Sequence, residues 1–506
     1  MVTHVDSKDV IGTINPGLHG QFIEFLGECI DTGIWVGEDS AIPNEHGIRV
    51  DVLDALKKLA PPILRWPGGC YADTYHWRDG IGPRDKRPVT YNENFNTYEL
   101  DDHQFGTDEF LRLCETVGAE PWISVNMLTG TPREMVAWME YCNRGETTSL
   151  SKERAANGHP EPYDVRYWGL GNEVWCGGGN MTPETYMDEY RKFASAMPGF
   201  THQIGERTRM YAIASGPDGN KPLERVNWTN GIMRELARFR QPKIDAYDLH
   251  FYNWNITHKD DVSTSYTRAG WDRLIDGCLE LETDILRQHE LLEQGLKLMP
   301  IPEVPTDPRL EHIDLIVGEW GNWHRDATLA RPALYQQCTM RDAVTTALTL
   351  DLLQRNCDKV TMACNAQTVN VLNALILTDG GKMALTANYH VFMMYRNHQG
   401  AKAIRLARRD ADSGAYTFAS VKNNVITVDV VNAFMSDKTE IELSFADDVL
   451  PLNATTLASD DPYACNIPGE TPELTPVPTD VPTMAGHKVT LKLKPASVNT
   501  YRFEII

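Results

Sequence analysis

The sequence predicts an α/β protein in which a (β/α)8 TIM barrel is followed by an all-β, jelly-roll-like sandwich. Short apolar segments alternate with helical patterns over the first four-fifths of the chain, as in parallel β/α units. After about residue 395 the pattern changes to strict two-residue alternation, which is typical of antiparallel strands. At 506 residues the chain also exceeds what one hydrophobic core usually holds. We therefore predict a barrel over 15–395 and a sandwich over 396–506, with 1–14 contributing a strand that pairs with the sandwich.

Eight candidate strands account for the barrel. They are Leu18–Leu26, Ile63–Gly68, Pro121–Asn126, Val165–Gly171, Met210–Ser215, Ile244–Phe251, Ile313–Gly318 and Lys359–Asn365. Two of the intervening helices carry end signals: Thr107 and Gly118 flank one, and Thr182-Pro183-Glu184 begins another. Eight strands with interleaved helices predict a closed barrel, in which the active site lies at the carboxyl ends of the strands.

The region after the barrel has the pattern of a β-sandwich. Ile426–Val430, Ile441–Phe445 and Val489–Leu493 alternate apolar and polar residues, which predicts half-buried antiparallel strands. Prolines at 468, 472, 476, 478 and 482 predict one long extended loop between them. Val2–Ile11 precedes the first barrel strand and is the segment predicted to pair with the sandwich.

Charge and composition restrict the partners. A formal net charge of −22 opposes binding to nucleic acid and to anionic membranes, whereas a neutral sugar is compatible with it. The amino terminus lacks the basic start and apolar core of a secretory signal, which predicts a cytoplasmic protein. Ten cysteines form no C-x-x-C pair, so reduced thiols are expected rather than zinc ligands or disulfides.

Two predicted strand ends each carry a glutamate near a tryptophan. Asn172-Glu173 follows the fourth strand with Trp175 two residues later, and Glu319-Trp320 follows the seventh. A single glutamate of this kind is more often a solvated or salt-bridged residue, so the pair carries the prediction. Retaining glycosidases use two carboxyl groups about 5 to 5.5 Å apart, one as nucleophile and one as acid/base. The pair therefore predicts cleavage of a glycosidic bond, with Asn172 donating to a sugar hydroxyl and the indoles offering apolar faces.

The motifs Gly171-Asn172-Glu173 and Gly318-Glu319-Trp320 are similar to those of the clan A retaining glycosidases. Within that clan the sequence resembles glycoside hydrolase family 51, the α-L-arabinofuranosidases. The resemblance is also carried by Gly20–Gly27, Arg65–Cys70, Trp77–Pro83, Asn157–Tyr163 and Asn180–Glu184. It implies that Glu173 is the general acid/base and Glu319 the nucleophile. It also implies a homo-oligomer, commonly a hexamer.

The resemblance implies sugar contacts by Glu24, His250, Tyr252, Trp323 and Gln367, and it completes the set of predicted sugar-contacting residues. They are Glu24, Arg65, Cys70, Asn172, His250, Tyr252, Trp320, Trp323 and Gln367. For Arg65, direct contact and indirect support of Glu319 stay open, and His250 is expected to orient other groups by hydrogen bonding. Two positions depart from the family pattern: Cys70 and His103 stand where asparagine is expected, and a thiol is the weaker hydrogen bonder.

The sequence predicts an exo-acting, retaining α-L-arabinofuranosidase that acts on arabino-oligosaccharides, arabinan or arabinoxylan fragments. Another clan A activity, a β-xylosidase or an endo-β-glycanase, is the alternative, because Gly-Asn-Glu alone does not choose the sugar. A non-catalytic carbohydrate-binding barrel is expected to have lost one carboxylate, and both are present. A metal-dependent hydrolase is a third alternative. The sequence places no His or Asp cluster at ligand spacing around His250, so neither a metal nor a cofactor is expected.

Overall fold

Eight strands close into a barrel in the computed structural model, which describes residues 2–96, 99–145, 147–198, 210–217, 222–301, 310–406 and 414–506. In chain order they are Gly20–Phe22, Ile63–Trp66, Glu120–Val125, Tyr167–Leu170, Tyr211–Ser215, Ala246–Asn255, Asp314–His324 and Val360–Asn365. Neighbouring strands run parallel, with Tyr167 opposite Trp122 on one side and Tyr211 on the other. Each strand overlaps one predicted strand, so the predicted barrel is confirmed.

Three barrel strands differ from the prediction by more than two residues at one end. The first strand is shorter, because Pro16–His19 forms a turn of 3-10 helix. The sixth strand continues to Asn255 and the seventh to His324. Their extensions contain polar residues that are nevertheless buried; Asn253, for example, donates to the Leu274 carbonyl at 2.8 Å. The predicted strands end where the apolar run ends, because buried polar residues with hydrogen-bond partners do not continue that pattern.

Helices connect the strands. Their bounds are Val50–Leu59, Thr107–Val117, Pro132–Asn143, Ser149–Ala156, Pro183–Ala196, Pro222–Arg238, Arg268–Lys297, Arg325–Leu329, Met340–Arg355 and Ala387–Tyr395. The predicted cap at Thr182 is confirmed, since its hydroxyl accepts from the Thr185 N–H. The predicted cap at Thr107 is wrong by one residue, because Gly106 caps that helix and Thr107 is its first member. None of the helices in the described ranges has the length and hydropathy needed to cross a bilayer.

Contacts divide the chain into two compact units. The first unit comprises Gly20–Phe251 and Asp284–Glu319 and contains both glutamates of the predicted pair. The second comprises Met1–His19, Tyr252–Thr283 and Trp320–Ile506. The domain boundaries at 14/15 and 395/396 stay predictions.

The second unit contains a β-sandwich. One sheet has the order Val10–Thr13, Lys402–Ile404, Ala415–Lys422, Val425–Asn432, Ser497–Ile505, Val449–Leu457 and Val477–Thr479. The other has the order Val2–Val5, Thr439–Phe445 and Lys488–Leu493. Side chains from both sheets, including Val5, Val428 and Leu443, form one hydrophobic core. The predicted combination of a TIM barrel with a β-sandwich is therefore confirmed.

Shorter two-stranded sheets pair Asn44–Glu45 with Ile48–Arg49, Thr90–Asn92 with Glu99–Asp101 and Ile376–Asp379 with Lys382–Leu385.

Two predictions for the sandwich need correction. The strand Val425–Asn432 is buried on both faces rather than half-buried, because the helix Met340–Arg355 contacts it. Its Asp429 accepts a hydrogen bond from the Thr500 hydroxyl at 2.5 Å. The proline-rich loop also contains a short strand, Val477–Thr479, at the sheet edge, where proline is tolerated. Lys488–Leu493 alternates between exposed and buried residues as predicted.

Asp342 is the centre of a buried polar network in the second unit. Its carboxylate accepts from Asn322 Nδ2 at 2.8 Å, from His324 Nε2 at 2.9 Å and from the Thr339 N–H at 2.9 Å. Burial acts to raise the pKa of Asp342, but His324, Arg341 and the hydrogen bonds hold that pKa below its ordinary value of 3.8. The charged carboxylate therefore stabilises the fold.

Asp342→Asn is expected to lower the free energy of unfolding at pH 7 by about 3 to 5 kcal/mol, because one partner of a buried charge network is lost. A carboxylate with a depressed pKa stabilises above the unfolded pKa of about 3.9, and this stabilisation is lost as pH falls through the lower folded value. The difference in the free energy of unfolding between wild type and variant should therefore become smaller at acidic pH. Urea unfolding from pH 7 down to about pH 3 measures it, with the half-exposed Asp272→Asn as control. Equal unfolding midpoints for Asp342→Asn and wild type at pH 7 would contradict the assignment.

Candidate active site

Arg65, on the second barrel strand, binds Glu319 directly. Its Nη1 donates to Glu319 Oε1 at 2.7 Å and to the Gly318 carbonyl at 3.0 Å. Its Nη2 donates to Asn172 Oδ1 at 2.5 Å, and the side chain is 1% exposed. A buried guanidinium favours the ionised form of the carboxylate with which it pairs. Of the two roles that the sequence left open for Arg65, these contacts favour support of Glu319.

Glu173 lies in the turn that follows the fourth barrel strand. Its φ of +38° falls in the left-handed region, which side chains with a Cβ atom rarely adopt. The N–H groups of Cys176 and Gly178 donate to the Glu173 carbonyl at 2.8 and 3.3 Å and fix this turn. The carboxyl group lies against His250, with 2.9 Å between Oε1 and Nδ1. The turn therefore holds the carboxyl group in a defined position.

The two glutamates are close enough for a retaining mechanism. One carboxyl oxygen of Glu173, one of Glu319 and one ring nitrogen of His250 all lie within 4.8 Å of one another. Retaining enzymes place the two carboxyl groups about 5 to 5.5 Å apart, whereas inverting enzymes need about 6.5 to 9.5 Å to admit a water molecule. The spacing is therefore that of a nucleophile and an acid/base.

The same three side chains are a potential set of metal ligands, which the sequence analysis did not expect around His250. Their atoms already bind one another and their neighbours: Arg65 pairs with Glu319, and each ring nitrogen of His250 faces a carboxyl oxygen. The arrangement is accordingly that of a hydrogen-bonded network, and we assign no metal to it.

Glu24, Glu319 and Asn172 converge on the space beside Gly69. A Cβ atom added at Gly69 would lie 2.7 Å from Glu319 Oε1. It would also lie 3.5 Å from Glu24 Oε1 and 3.6 Å from Asn172 Nδ2. The N–H groups of Gly69 and Tyr71 hold Glu24 by donating to its Oε1 at 2.8 and 3.2 Å. Within the described residues, the buried Nδ2 of Asn172 has no hydrogen-bond partner, so this donor is available to a ligand.

Cys70 begins the short helical turn Cys70–Asp73 next to this space. Burial and the charges of Glu173, Glu24 and Glu319 raise the pKa of its thiol well above 9.0. The thiol is therefore neutral and adds no charge to a site that already contains several carboxylates.

The second departure from the expected pattern, His103, is also buried. Its backbone N–H donates to Asp101 Oδ1 at 2.8 Å, and the other oxygen of Asp101 accepts from the Tyr71 hydroxyl. The Tyr71 N–H in turn donates to Glu24. A chain of hydrogen bonds through Asp101 and Tyr71 therefore links the His103 backbone to the Glu24 carboxylate.

Tyr252 and Trp323 belong to an aromatic cluster in the second unit. Their ring centroids are 5.2 Å apart and nearly perpendicular, and Trp254 stacks on Trp323 at 4.6 Å. Trp254 is 40% exposed, and the sequence analysis missed it. It lies two residues after Tyr252 on the same strand, so the alternation of a β-strand was the signal that could have identified it.

The remaining predicted contacts are more deeply buried. Trp320 is 2% exposed and its ring stacks on Phe392, which leaves little of its surface for a sugar. Gln367 follows the eighth barrel strand and is 1% exposed, and its backbone carbonyl accepts from Asn365 Nδ2. In the first unit, the indole N–H of Trp175 donates to the Gly216 carbonyl at 3.0 Å.

Asp248 is the residue of the site to which the sequence analysis gave no role. Its Oδ2 lies 3.1 Å from His250 Nε2, and its Oδ1 accepts from the Gly318 N–H at 2.6 Å. Burial acts to lower the pKa of His250, but Glu319, Asp248 and Glu173 raise it well above 6.5. Asp248 and His250 alternate on the sixth strand and share one of its faces, a pattern that was visible in the sequence.

Two family models match the chain. The model described as "Alpha-L-arabinofuranosidase 1 domain" matches residues 55–269. The model described as "Alpha-L-arabinofuranosidase C-terminal domain" matches residues 318–497. Both glutamates lie within the matched ranges.

Similar proteins and structures cover nearly the whole chain. An intracellular exo-α-L-arabinofuranosidase of Bacteroides ovatus is 36% identical over 461 residues, which are 88% of this chain and 84% of the relative. The crystal structure of a GH51 arabinofuranosidase from Xanthomonas axonopodis pv. citri is similar with a TM-score of 0.88 and 31% identity, over 99% of this chain and 100% of that chain. An arabinose complex of α-L-arabinofuranosidase from Thermotoga maritima is similar with a TM-score of 0.82 and 28% identity, over 100% of both chains.

Proposed function

The chain belongs to glycoside hydrolase family 51, the α-L-arabinofuranosidases, and we propose that Glu173 is its general acid/base and Glu319 its nucleophile. The enzyme is an exo-acting α-L-arabinofuranosidase, and family membership decides among the clan A activities that Gly-Asn-Glu alone left open. The observation that carries the assignment is the separation of less than 4.8 Å between the two carboxyl oxygens. The contacts of Arg65 support Glu319 as the ionised glutamate, because a paired guanidinium favours the carboxylate form.

In the first step, Glu319 attacks the anomeric carbon while Glu173 gives its proton to the glycosidic oxygen. The glycosidic bond breaks, the alcohol leaves, and an arabinofuranosyl ester of Glu319 forms with inverted configuration. In the second step, the Glu173 carboxylate takes a proton from water, whose oxygen attacks the anomeric carbon and releases Glu319. Two inversions give net retention.

The space beside Gly69 is the proposed position of the terminal sugar. Glu24 accepts hydrogen bonds from arabinose hydroxyls there, and the available amide of Asn172 donates one. From the family resemblance we propose further contacts to the sugar by Cys70, His250, Tyr252, Trp323 and Gln367. The packing of Trp320 on Phe392 argues against a sugar contact by its ring face. The neutral thiol of Cys70 acts as a wall rather than as a hydrogen-bonding group.

Location, assembly and substrate length are further proposals. We propose that the enzyme is cytoplasmic, which the name of the intracellular Bacteroides ovatus relative supports. We also propose a homo-oligomer, commonly a hexamer, as the family resemblance implies. A cytoplasmic enzyme acts on imported fragments, so short arabino-oligosaccharides are the proposed substrates. At a net charge of −22 the chain has fewer arginine and lysine residues than acidic ones, so it does not attract anionic ligands. This charge supports a neutral substrate.

Linear arabinan is expected to yield arabinose as the sole early product. Glu24 is 4% exposed and Glu319 is 5% exposed, so both are recessed, and an exo-acting enzyme releases one terminal sugar at a time. Chromatography of the products during the first few per cent of hydrolysis measures this. Aryl β-D-xyloside and β-D-glucoside serve as controls for sugar specificity. Early oligosaccharides of mixed length would contradict the exo mode.

A further inference from the structure

Asp248 fixes which nitrogen of His250 carries a proton. Its Oδ1 accepts from the Gly318 N–H at 2.6 Å, and its Oδ2 lies 3.1 Å from His250 Nε2. A carboxylate can only accept, so Nε2 carries a hydrogen and donates it to Asp248. In a neutral imidazole, Nδ1 is then left without a hydrogen and is an acceptor.

Nδ1 of His250 faces the proposed acid. It lies 2.9 Å from Glu173 Oε1, and two acceptors at that distance attract each other only if one proton lies between them. That proton is the one that Glu173 gives to the glycosidic oxygen. Once it has left, a carboxylate oxygen and a bare ring nitrogen face each other, which strengthens Glu173 as the base that takes the next proton from water.

We propose that Asp248 is a positioning residue that fixes the His250 tautomer, so that Glu173 and His250 together hold one transferable proton. This inference rests on the proposed role of Glu173 as acid/base. The proton passes from Glu173 to the leaving oxygen in the first step and is replaced from water in the second, so no other donor is needed. A buried carboxylate that orients a histidine in this way is used in other hydrolases, where the wrong tautomer costs about 10⁴-fold.

The other charged groups around His250 are consistent with this role. Glu319 Oε1 lies 3.6 Å from Nδ1 and is neutralised by Arg65 from the second strand. Asp248, on the same strand as His250, contacts Nε2 of the ring. Glu173, in the turn after the fourth strand, contacts Nδ1. The three carboxyl groups raise the pKa of His250, although burial alone lowers it. The raised pKa is consistent with one hydrogen on Nε2 and a second hydrogen shared between Nδ1 and Glu173.

Asp248→Asn tests the proposal by reversing the tautomer. The new amide oxygen must face the Gly318 N–H, so its NH2 group points to His250 and forces Nε2 to accept. The ring hydrogen then moves to Nδ1 and donates to Glu173, which becomes a carboxylate without a proton to give. We expect kcat/KM for phenyl α-L-arabinofuranoside to fall about 10²-fold or more, the scale of general acid catalysis. With the 4-nitrophenyl substrate, whose phenolate leaves without protonation, a loss below about tenfold is expected.

One further readout and one control variant separate this role from a structural one. The alkaline limb of the kcat/KM profile should move to lower pH in Asp248→Asn. Asp245→Asn is the matched control, because Asp245 also accepts a backbone N–H, that of Ala212 at 2.8 Å, without contacting His250. Equal losses of Asp248→Asn on both substrates, with an unmoved alkaline limb, would overturn the proposal.

A measurement on the wild-type enzyme keeps the proposal testable if the variant does not fold. Nitrogen NMR of histidine-labelled enzyme, with His250→Gln to assign the signal, should show Nε2 protonated between pH 5 and 8, and a bare Nε2 would refute it. Failure of the acid/base assignment is a separate outcome, seen in the azide products of Glu173→Ala. If that variant behaves as an acid/base mutant while Nε2 is bare, the role of Asp248 alone is wrong.

Discussion

Glu319→Ala is expected to lose turnover of every arabinofuranoside, whatever its leaving group. Without the carboxylate no covalent intermediate forms, and removing a nucleophile costs on the order of 10⁴- to 10⁶-fold in kcat. A better leaving group does not restore the rate, because the missing group acts on the anomeric carbon and not on the departing oxygen. Rates measured on a series of aryl arabinofuranosides with phenols of graded acidity test this.

Arg65 makes a second variant necessary. It is 1% exposed and pairs with Glu319, so alanine would leave a buried cation without its carboxylate and reduce stability. Glu319→Gln retains an oxygen that accepts from Arg65 and should be folded yet equally inactive. Glu319 is not the nucleophile if either folded variant keeps more than about 1% of wild-type activity. The same conclusion follows if a variant loses activity only on substrates with poor leaving groups.

The sequence predicted those features of the fold that depend on neighbouring residues, and it missed those that depend on distant ones. The eight barrel strands are short apolar runs, so composition alone located them. The continuation of the sixth and seventh strands was missed because Asn253 and Asn322 are polar yet buried. Their hydrogen bonds to each other and to Leu274 and Asp342 depend on partners 20 or more positions away, which no local pattern reveals.

The site was predictable to the same degree. Glu173 and Glu319 follow apolar strands and were located by that pattern, and the resemblance supplied Glu24 and Arg65. The proposed role of Asp248 was not predictable, because it requires the pairing that brings the Gly318 N–H within 2.6 Å of its carboxylate. Trp320 shows the converse: its place after Glu319 suggested a sugar platform, but its ring packs on Phe392.

Glu173→Ala is expected to keep the first step with acidic phenols and to lose the second. Departure of such a phenolate needs no proton, so the arabinofuranosyl ester of Glu319 still forms. Hydrolysis then slows by about 10²- to 10⁴-fold, since no base activates water. A burst of phenol followed by slow turnover is the expected time course, and the wild-type enzyme is the control. A variant without a burst, slowed equally on all substrates, would contradict the assignment.

Azide distinguishes the two glutamates by the configuration of its product. It needs no general base, so in Glu173→Ala it should attack the inverted ester and, after two inversions, release α-L-arabinofuranosyl azide. In Glu319→Ala azide takes the place of the missing carboxylate and attacks the substrate directly, while Glu173 protonates the leaving oxygen. One inversion then gives the β-azide. Proton NMR of the anomeric signal identifies each product, and a β-azide from Glu173→Ala together with an α-azide from Glu319→Ala would mean that the two roles are exchanged.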